Sequence, residues 1–207
     1  ATAISADGPA NLLTAVRVAA DPNAGGRGVL VVLNDEIHSA RDVRKTDNNR
    51  IDTFVSAEWG ALGVVDSDGV TFRRSSETLH TVQALPSLAG VEALPVVPIV
   101  ADFAGNDAMV LRSWAQQGVS GIVVQAFGGG RTSPEMRRAI SEIASEGIPV
   151  VLASRVPEGR VIGSEQQAQA GVVAGGDLPP HKARVLLMLA LLHSRDGTEI
   201  QAIFATH

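Results

Sequence analysis

From residue 96 onward, short apolar runs alternate with helical segments through short connections, and this most restricts the fold. Residues 96–100, Val-Val-Pro-Ile-Val, read as a strand. Pro98 places that strand near a sheet edge or a strand start, because proline lacks the ladder donor. Residues 107–117 read as a helix ended by Gly118. Residues 121–124 read as a strand running into Gly128-Gly129-Gly130. Ser133-Pro134-Glu135 opens a helix to Glu146, with proline in the first turn and Gly147 just past the end. Residues 149–153 are a strand and 171–174 a shorter one. Pro179-Pro180 opens a long helix through Leu192, and residues 198–204 form a last short helix. Strand–helix alternation with short connections predicts a parallel sheet of about four strands with helices on both faces.

The first part of the chain is less regular. Ser5 and Asp7 are helix N-cap candidates, and Pro9 suits a first-turn position. Leu12, Leu13, Val16, Ala19 and Ala20 recur at helical spacing, and Asp21-Pro22-Asn23 with Gly25-Gly26 stops the helix. Residues 29–33, Val-Leu-Val-Val-Leu, read as a fully buried strand ending in Asn34-Asp35. An apolar run bounded by glycine and followed by acid–base side chains suits a parallel sheet, with chemistry beyond the carboxyl end of the strand. Val64-Val65 and Val70-Thr71-Phe72 flank a turn at Asp66-Ser67-Asp68-Gly69, a hairpin signal. Residues 75–95 hold Pro86, Gly90 and Pro95 without sustained period and read as a linker. The expected organisation is part of an N-terminal α/β domain with a β-hairpin over 1–74, a linker over 75–95, and a smaller parallel-sheet α/β domain over 96–207.

The 207 residues suffice for one large domain or two small ones. With 45% hydrophobic and 19% charged residues the composition is that of a globular protein. A net charge of −5 leaves no electrostatic footprint for nucleic acid. The absence of cysteine excludes thiolate metal sites and disulfides and fits either redox environment. No apolar run approaches the roughly 20 residues of a membrane span. The opening Ala1-Thr2-Ala3-Ile4 has neither an initiator methionine nor a signal-peptide pattern, so the chain is expected to be a piece of something longer.

Few residues carry a chemical signal. Lys45 is flanked by Arg41 and Arg44, and neighbouring cations favour the neutral, basic form of a lysine. Most lysines in polar stretches are simply solvated. Gly128-Gly129-Gly130-Arg131 could bring backbone N–H groups to an anion at the next helix N-terminus, with Arg131 gripping a carboxylate. It matches neither the P-loop nor the dinucleotide spacing, and on the residues alone a tight turn needing positive φ is the better explanation. Arg155 follows the next strand as a second carboxyl-end candidate, or as a member of an ion pair. His38, His80, His181, His193 and His207 lack metal-ligand spacing and read as surface or capping residues, so no metal is expected. Ser5, Ser39 and Ser154 lie outside any nucleophile-elbow context. Residues 186–192 are apolar nearly all round, as in a buried helix.

Residues 5–12 (Ser-Ala-Asp-Gly-Pro-Ala-Asn-Leu), 27–35, 41–46 (Arg-Asp-Val-Arg-Lys-Thr), 54–56 with 60–63, 154–157 (Ser-Arg-Val-Pro) and 182–187 together resemble the bacterial type II asparaginase/glutaminase family, in the family's order. The resemblance implies a two-domain α/β amidohydrolase acting on L-asparagine or L-glutamine, with no cofactor. It implies a homotetramer with sites shared between subunits, and it favours a periplasmic or secreted setting over a cytoplasmic one, leaving both open. It assigns to Lys45 the role of the lysine paired with a threonine–aspartate motif, expected near the carboxyl end of strand 29–33. It places Arg131 where the family has an Asn or Ser that meets the substrate's α-amino end, and Ser164 or Glu165 where the family has a Glu. The family's Gly-Gly-Thr and Gly-Thr-Asp-Thr motifs, which carry both catalytic threonines, are absent from these 207 residues. The chain alone is therefore expected to be inactive. The alternative reading is a catalytically inactive fragment or a small-molecule-binding α/β module.

Overall fold

The computed structural model describes residues 7–81 and 88–207, which fall into two units, Ala1–Gln83 and Ala84–His207. Helix α1, Gly8–Ala20, opens the first unit with Asp7 as N-cap and a proline in its first turn. The Asp7 carboxylate takes a hydrogen bond from Asn11 Nδ2 at 3.0 Å. Asn11 in turn accepts the Asn34 N–H at 3.0 Å, and Thr14 Oγ1 donates to Asp35 Oδ1 at 3.2 Å. Asn11, Thr14 and Val18 thus form the narrow edge by which α1 meets the sheet, at the spacing of one helix face. The expected apolar face is not the buried one. Leu12, Leu13 and Val16 are 67%, 65% and 57% exposed, while Thr14 and Val18 are buried.

Among the described residues strand β1, Leu30–Leu33, makes no parallel pair. It pairs antiparallel with β2, Glu36–Ser39, from Leu30↔Ser39 to Leu33↔Glu36. Asn34 and Asp35 form the two-residue turn with φ of 50° and 58°, the left-handed pair whose twist matches a hairpin. β5, Gly63–Asp66, and β6, Gly69–Phe72, form the hairpin expected there, closing on Asp66↔Gly69. The antiparallel order is β1-β2-β5-β6. Among the described residues β1 is an edge strand and only half-buried, where the sequence reads as a fully buried strand. Its core comprises Val18, Ile37 and Val65, with Leu30, Val32, Val70 and Phe72 packed around them. A separate ribbon joins β3, Arg44–Lys45, to β4, Phe54–Val55, with Arg44 opposite Val55 and Lys45 opposite Phe54.

Residues 75–81 and 88–95 contain no α-helix or strand, and residues 82–87 of the expected linker lie outside the described residues. In the second unit the sheet is parallel, in the order β10-β9-β8-β7. β7 is Ile99–Ala101, β8 Ile122–Ala126, β9 Val150–Ser154 and β10 Val172–Ala174. Pro98 immediately precedes β7, an edge strand, as its missing donor requires. Side chains alternate along the strands. Val123, Val151, Ala153 and Val173 pack with Ala183, Leu187 and Ala190 of α5, Pro180–Ala190, and Ile200 and Phe204 of α6, Gly197–Thr206. On the opposite face Val100, Ile122, Val124 and Val150 meet Leu111 of α2, Met109–Gln116, and Met136, Ile140 and Ile143 of α3, Pro134–Ser145. Helices therefore cover both faces. Each fully buried aliphatic side chain here contributes about 1.5–3 kcal/mol over exposure. Helix α5 buries one face and leaves Val185 50% exposed, so it is not enclosed all round.

One helix was not anticipated. α4, Glu165–Gln169, starts at Ser164, whose hydroxyl accepts the Gln167 N–H at 3.2 Å. Gln167 Oε1 returns a bond to the Ser164 N–H at 2.9 Å, completing a capping box that makes so short a helix persist.

Candidate active site

The carboxyl ends of β7, β8 and β9 deliver the polar residues of the second unit. Asp102 follows β7 directly and is 3% exposed. Its N–H donates to Gln125 O at 3.0 Å. Its carboxylate accepts from Ser133 N at 2.6 Å, Ser133 Oγ at 2.9 Å, Phe103 N at 2.9 Å and Asn106 Nδ2 at 3.3 Å. Ser133 is the N-cap of α3. The anion anticipated at that helix N-terminus is thus an internal carboxylate, and the favourable interaction with the helix dipole is already satisfied. Nothing in the residue pattern flagged Asp102 beyond its place one residue after a strand.

The Gly128–Gly130 segment forms a tight turn in which Gly129 and Gly130 hold left-handed φ of 66° and 78°. Phe127 N donates to Arg131 O at 2.8 Å and Gly130 N to Phe127 O at 3.1 Å, closing the turn on itself. These glycines serve the turn geometry. Arg131 leaves the turn with its side chain exposed. Arg155, read as a candidate or an ion-pair member, instead lies over the Phe127 ring with its guanidinium carbon 4.4 Å from the centroid. Ser154 spends its hydroxyl on the Val156 N–H at 2.9 Å.

Gly129 and Gly130 line one side of a small hollow of about 50 Å³, and Val161, Gly163 and Gln167 line the other. The hollow joins the Arg131 turn to the start of α4. An adjoining half-open cleft of about 350 Å³ is lined by Arg160, Ser164, Glu165, Thr198 and Gln201. Glu165 is exposed and takes a bond from Gln169 Nε2 at 3.4 Å, whereas the Ser164 hydroxyl is engaged in capping. Of the two residues, Glu165 alone presents a charge to the cleft.

Lys45 lies in the first unit, exposed on the β3–β4 ribbon, with Nζ 5.8 Å from the Phe54 ring centroid. The chain leaves β2 at Ser39, opposite Leu30, so Lys45 is reached from the amino end of β1 and not the expected carboxyl end. The antiparallel hairpin causes this reversal. Arg41, one of its neighbouring cations in sequence, is paired with Asp42 at 3.1 Å. The adjoining loop is ordered by Asp47, whose carboxylate accepts the N–H groups of Asn49 and Arg50 at 2.7 and 3.0 Å, and these bonds lower its pKa. His38 departs from the surface reading. It is 1% exposed, with Nδ1 3.0 Å from Ser56 Oγ and Nε2 3.4 Å from Glu36. Among the described residues no group of three or more His, Cys, Asp or Glu could hold a metal ion, and no helix is long and apolar enough to cross a membrane.

An antiparallel hairpin unit followed by a four-stranded parallel sheet with helices on both faces defines a mixed α/β protein. Comparison with known proteins is specific. Residues 1–78 match the family described as asparaginase, N-terminal, and residues 96–204 the glutaminase/asparaginase C-terminal domain. A probable periplasmic L-asparaginase of Haemophilus influenzae is 38% identical over 99% of this chain and 59% of its own length. A glutaminase-asparaginase of Acinetobacter glutaminasificans is 38% identical over 98% of the chain and 62% of its own length. The solved structure of a probable cytoplasmic L-asparaginase from Campylobacter jejuni covers the whole chain with a TM-score of 0.95 at 36% identity, over 66% of that protein. The chain belongs to the glutaminase/asparaginase family, and it spans about three-fifths of the length of these curated relatives.

Proposed function

We propose that this chain forms the larger part of an amidohydrolase that converts L-asparagine, and also L-glutamine, to the corresponding acid and ammonia. The observation that carries the reading is the match to both family domains in order, with 38% identity to a relative named as a probable L-asparaginase over 99% of the chain. In this reading residues 1–74 belong to the catalytic N-terminal domain, 75–95 to a linker and 96–207 to the C-terminal domain. A threonine hydroxyl from motifs outside these 207 residues attacks the side-chain amide carbon. Ammonia leaves, and water hydrolyses the acyl-enzyme ester. Lys45 accepts the proton of a threonine hydroxyl, directly or through water. Arg131 and Glu165 bind the α end of the substrate. The Arg131 guanidinium suits its carboxylate, and the Glu165 carboxylate suits its ammonium. Both come from the C-terminal domain of a neighbouring subunit in a homotetramer.

The test is ammonia release by the intact enzyme supplied with L-asparagine or L-glutamine, alongside the 207-residue chain alone. Activity confined to the intact enzyme is expected. An intact enzyme inert towards both amides overturns the reading, and ammonia release by the shorter chain removes the external threonine. Sedimentation of the intact enzyme should give a tetramer, and an active monomer would exclude shared sites.

A further inference from the structure

The loop that carries Arg131 runs from the end of β8 to the start of α3, and one residue holds both of its ends. The Asp102 N–H bonds Gln125 O at 3.0 Å on the β8 side. The Asp102 carboxylate bonds Ser133 N and Oγ at 2.6 and 2.9 Å on the α3 side. Between these anchors the turn closes through Phe127 N to Arg131 O and Gly130 N to Phe127 O. Arg131 lies two residues from the second anchor.

Asp102 is itself fixed. Phe103 N and Asn106 Nδ2 bond the oxygen that also receives the Ser133 hydroxyl. Asn106 Nδ2 also reaches Ala101 O at 3.2 Å, and Asn106 Oδ1 accepts the Ala108 N–H at 2.9 Å. Ala108 holds a left-handed conformation at φ 60°, and the Asn106 bond compensates part of that cost. The four donors to the Asp102 carboxylate are all neutral, so its negative charge is balanced by hydrogen bonds and by the α3 dipole.

The geometry points to Asp102 as the positioning residue of the substrate-binding turn: it ties the last part of β8 to Ser133 at the start of α3, across the 127–133 loop, and thereby aims Arg131 at the substrate. This rests on the substrate-binding role proposed above for Arg131. Asp102 touches no substrate. Its effect passes through the rigidity of the turn, and Arg131 binds a part of the substrate that does not react, so misplacing it removes binding common to ground and transition state and raises KM.

Asp102→Asn is nearly isosteric but turns a donor towards the Ser133 N–H in place of an acceptor. In the intact enzyme it should raise KM for L-asparagine about tenfold and leave kcat within about twofold. The same change made on an Arg131→Gln background should raise KM no further, because the group being aimed is gone. Hydrogen exchange at the Gly130 amide should accelerate in Asp102→Asn whatever the substrate. Ser133→Ala keeps the backbone bond and should give a smaller KM rise, of about threefold, with the same dependence on Arg131. It supplies the test if Asp102→Asn does not fold. An unchanged KM in folded Asp102→Asn, or an equal rise with and without Arg131, overturns the positioning role. If the unmodified enzyme releases no ammonia, the functional reading fails. The exchange rate at Gly130 then decides the clamp alone, and an unchanged rate overturns it.

Discussion

The imidazole Nδ1 of His38 lies 3.0 Å from the Ser56 hydroxyl, and both residues are buried. Burial lowers the His38 pKa, and Glu36, 3.4 Å from Nε2, opposes the shift. The folded state therefore resists a proton that the unfolded chain accepts near its ordinary pKa of about 6.5. The stability tied to neutral His38 is present above that pH and is lost as pH falls through it towards the lower folded value. The melting temperature should fall between pH 7.5 and 5.5, and His38→Gln should shrink that fall. An identical pH slope in the two proteins would show that His38 does not carry it.

Lys45 and Arg44 are adjacent in a strand, so their side chains point to opposite faces. Only one can serve the site. Lys45→Met in the intact enzyme should lower asparagine turnover by at least about a hundredfold while folding and assembly persist, and Arg44→Met should do far less. Steady-state kinetics decides between them. Equal losses would remove Lys45 from its assigned role.

Gly130 has φ of +78°, and a Cβ there would lie 2.5 Å from Val161 Cγ1. Gly130→Ala should therefore cost about 1–3 kcal/mol from overlap and backbone strain together. Adding Val161→Ala relieves the overlap and leaves the strain, although it opens a void of its own. Urea unfolding of the Gly130→Ala protein with and without the second change measures the coupling. Additive losses would show that the two positions do not meet.

Leu187 is fully buried on α5 and Val185, on the same helix, is 50% exposed. Leu187→Ala should cost about 2–5 kcal/mol, and Val185→Ala should stay within roughly 0.5 kcal/mol. Denaturant midpoints at constant slope provide the comparison. A larger loss at Val185 would mean that this face of α5 is covered in the folded protein.

The second unit was legible because its helices and strands are locally consistent. Pro134 and Gly147 bracket α3, and Pro98 marks the edge strand. The first unit was harder to read. The run 29–33 is apolar enough for a central strand, yet Asn34-Asp35 turns it back, and tolerance of the left-handed region by those two residue types was the available signal. His38 was misread because an isolated histidine gives no periodicity, and strand alternation gives no signal either, since Ile37 and His38 are both buried. The capping box at Ser164 and Gln167 is visible in the sequence as a Ser followed three residues later by a Gln, and α4 could have been read from it. Asp102 was beyond reach, since its importance comes from Ser133, far away along the chain.

The two sheets impose different tempos on folding. The β1–β2 and β5–β6 pairs are closed by two-residue turns, so their partners meet by local chain motion, and isolated hairpins of this kind form in about 1–10 μs. In the parallel sheet Ile99 must find Val123, Ile122 must find Val150, and Val150 must find Val172, each across a whole helix-bearing crossover. Closing those loops loses chain entropy before any strand contact is gained. A chain emerging from the ribosome therefore has its hairpins available early, while β7 waits unpaired for β8. Pro98 and the shortness of β7 limit what that waiting edge can capture in the meantime.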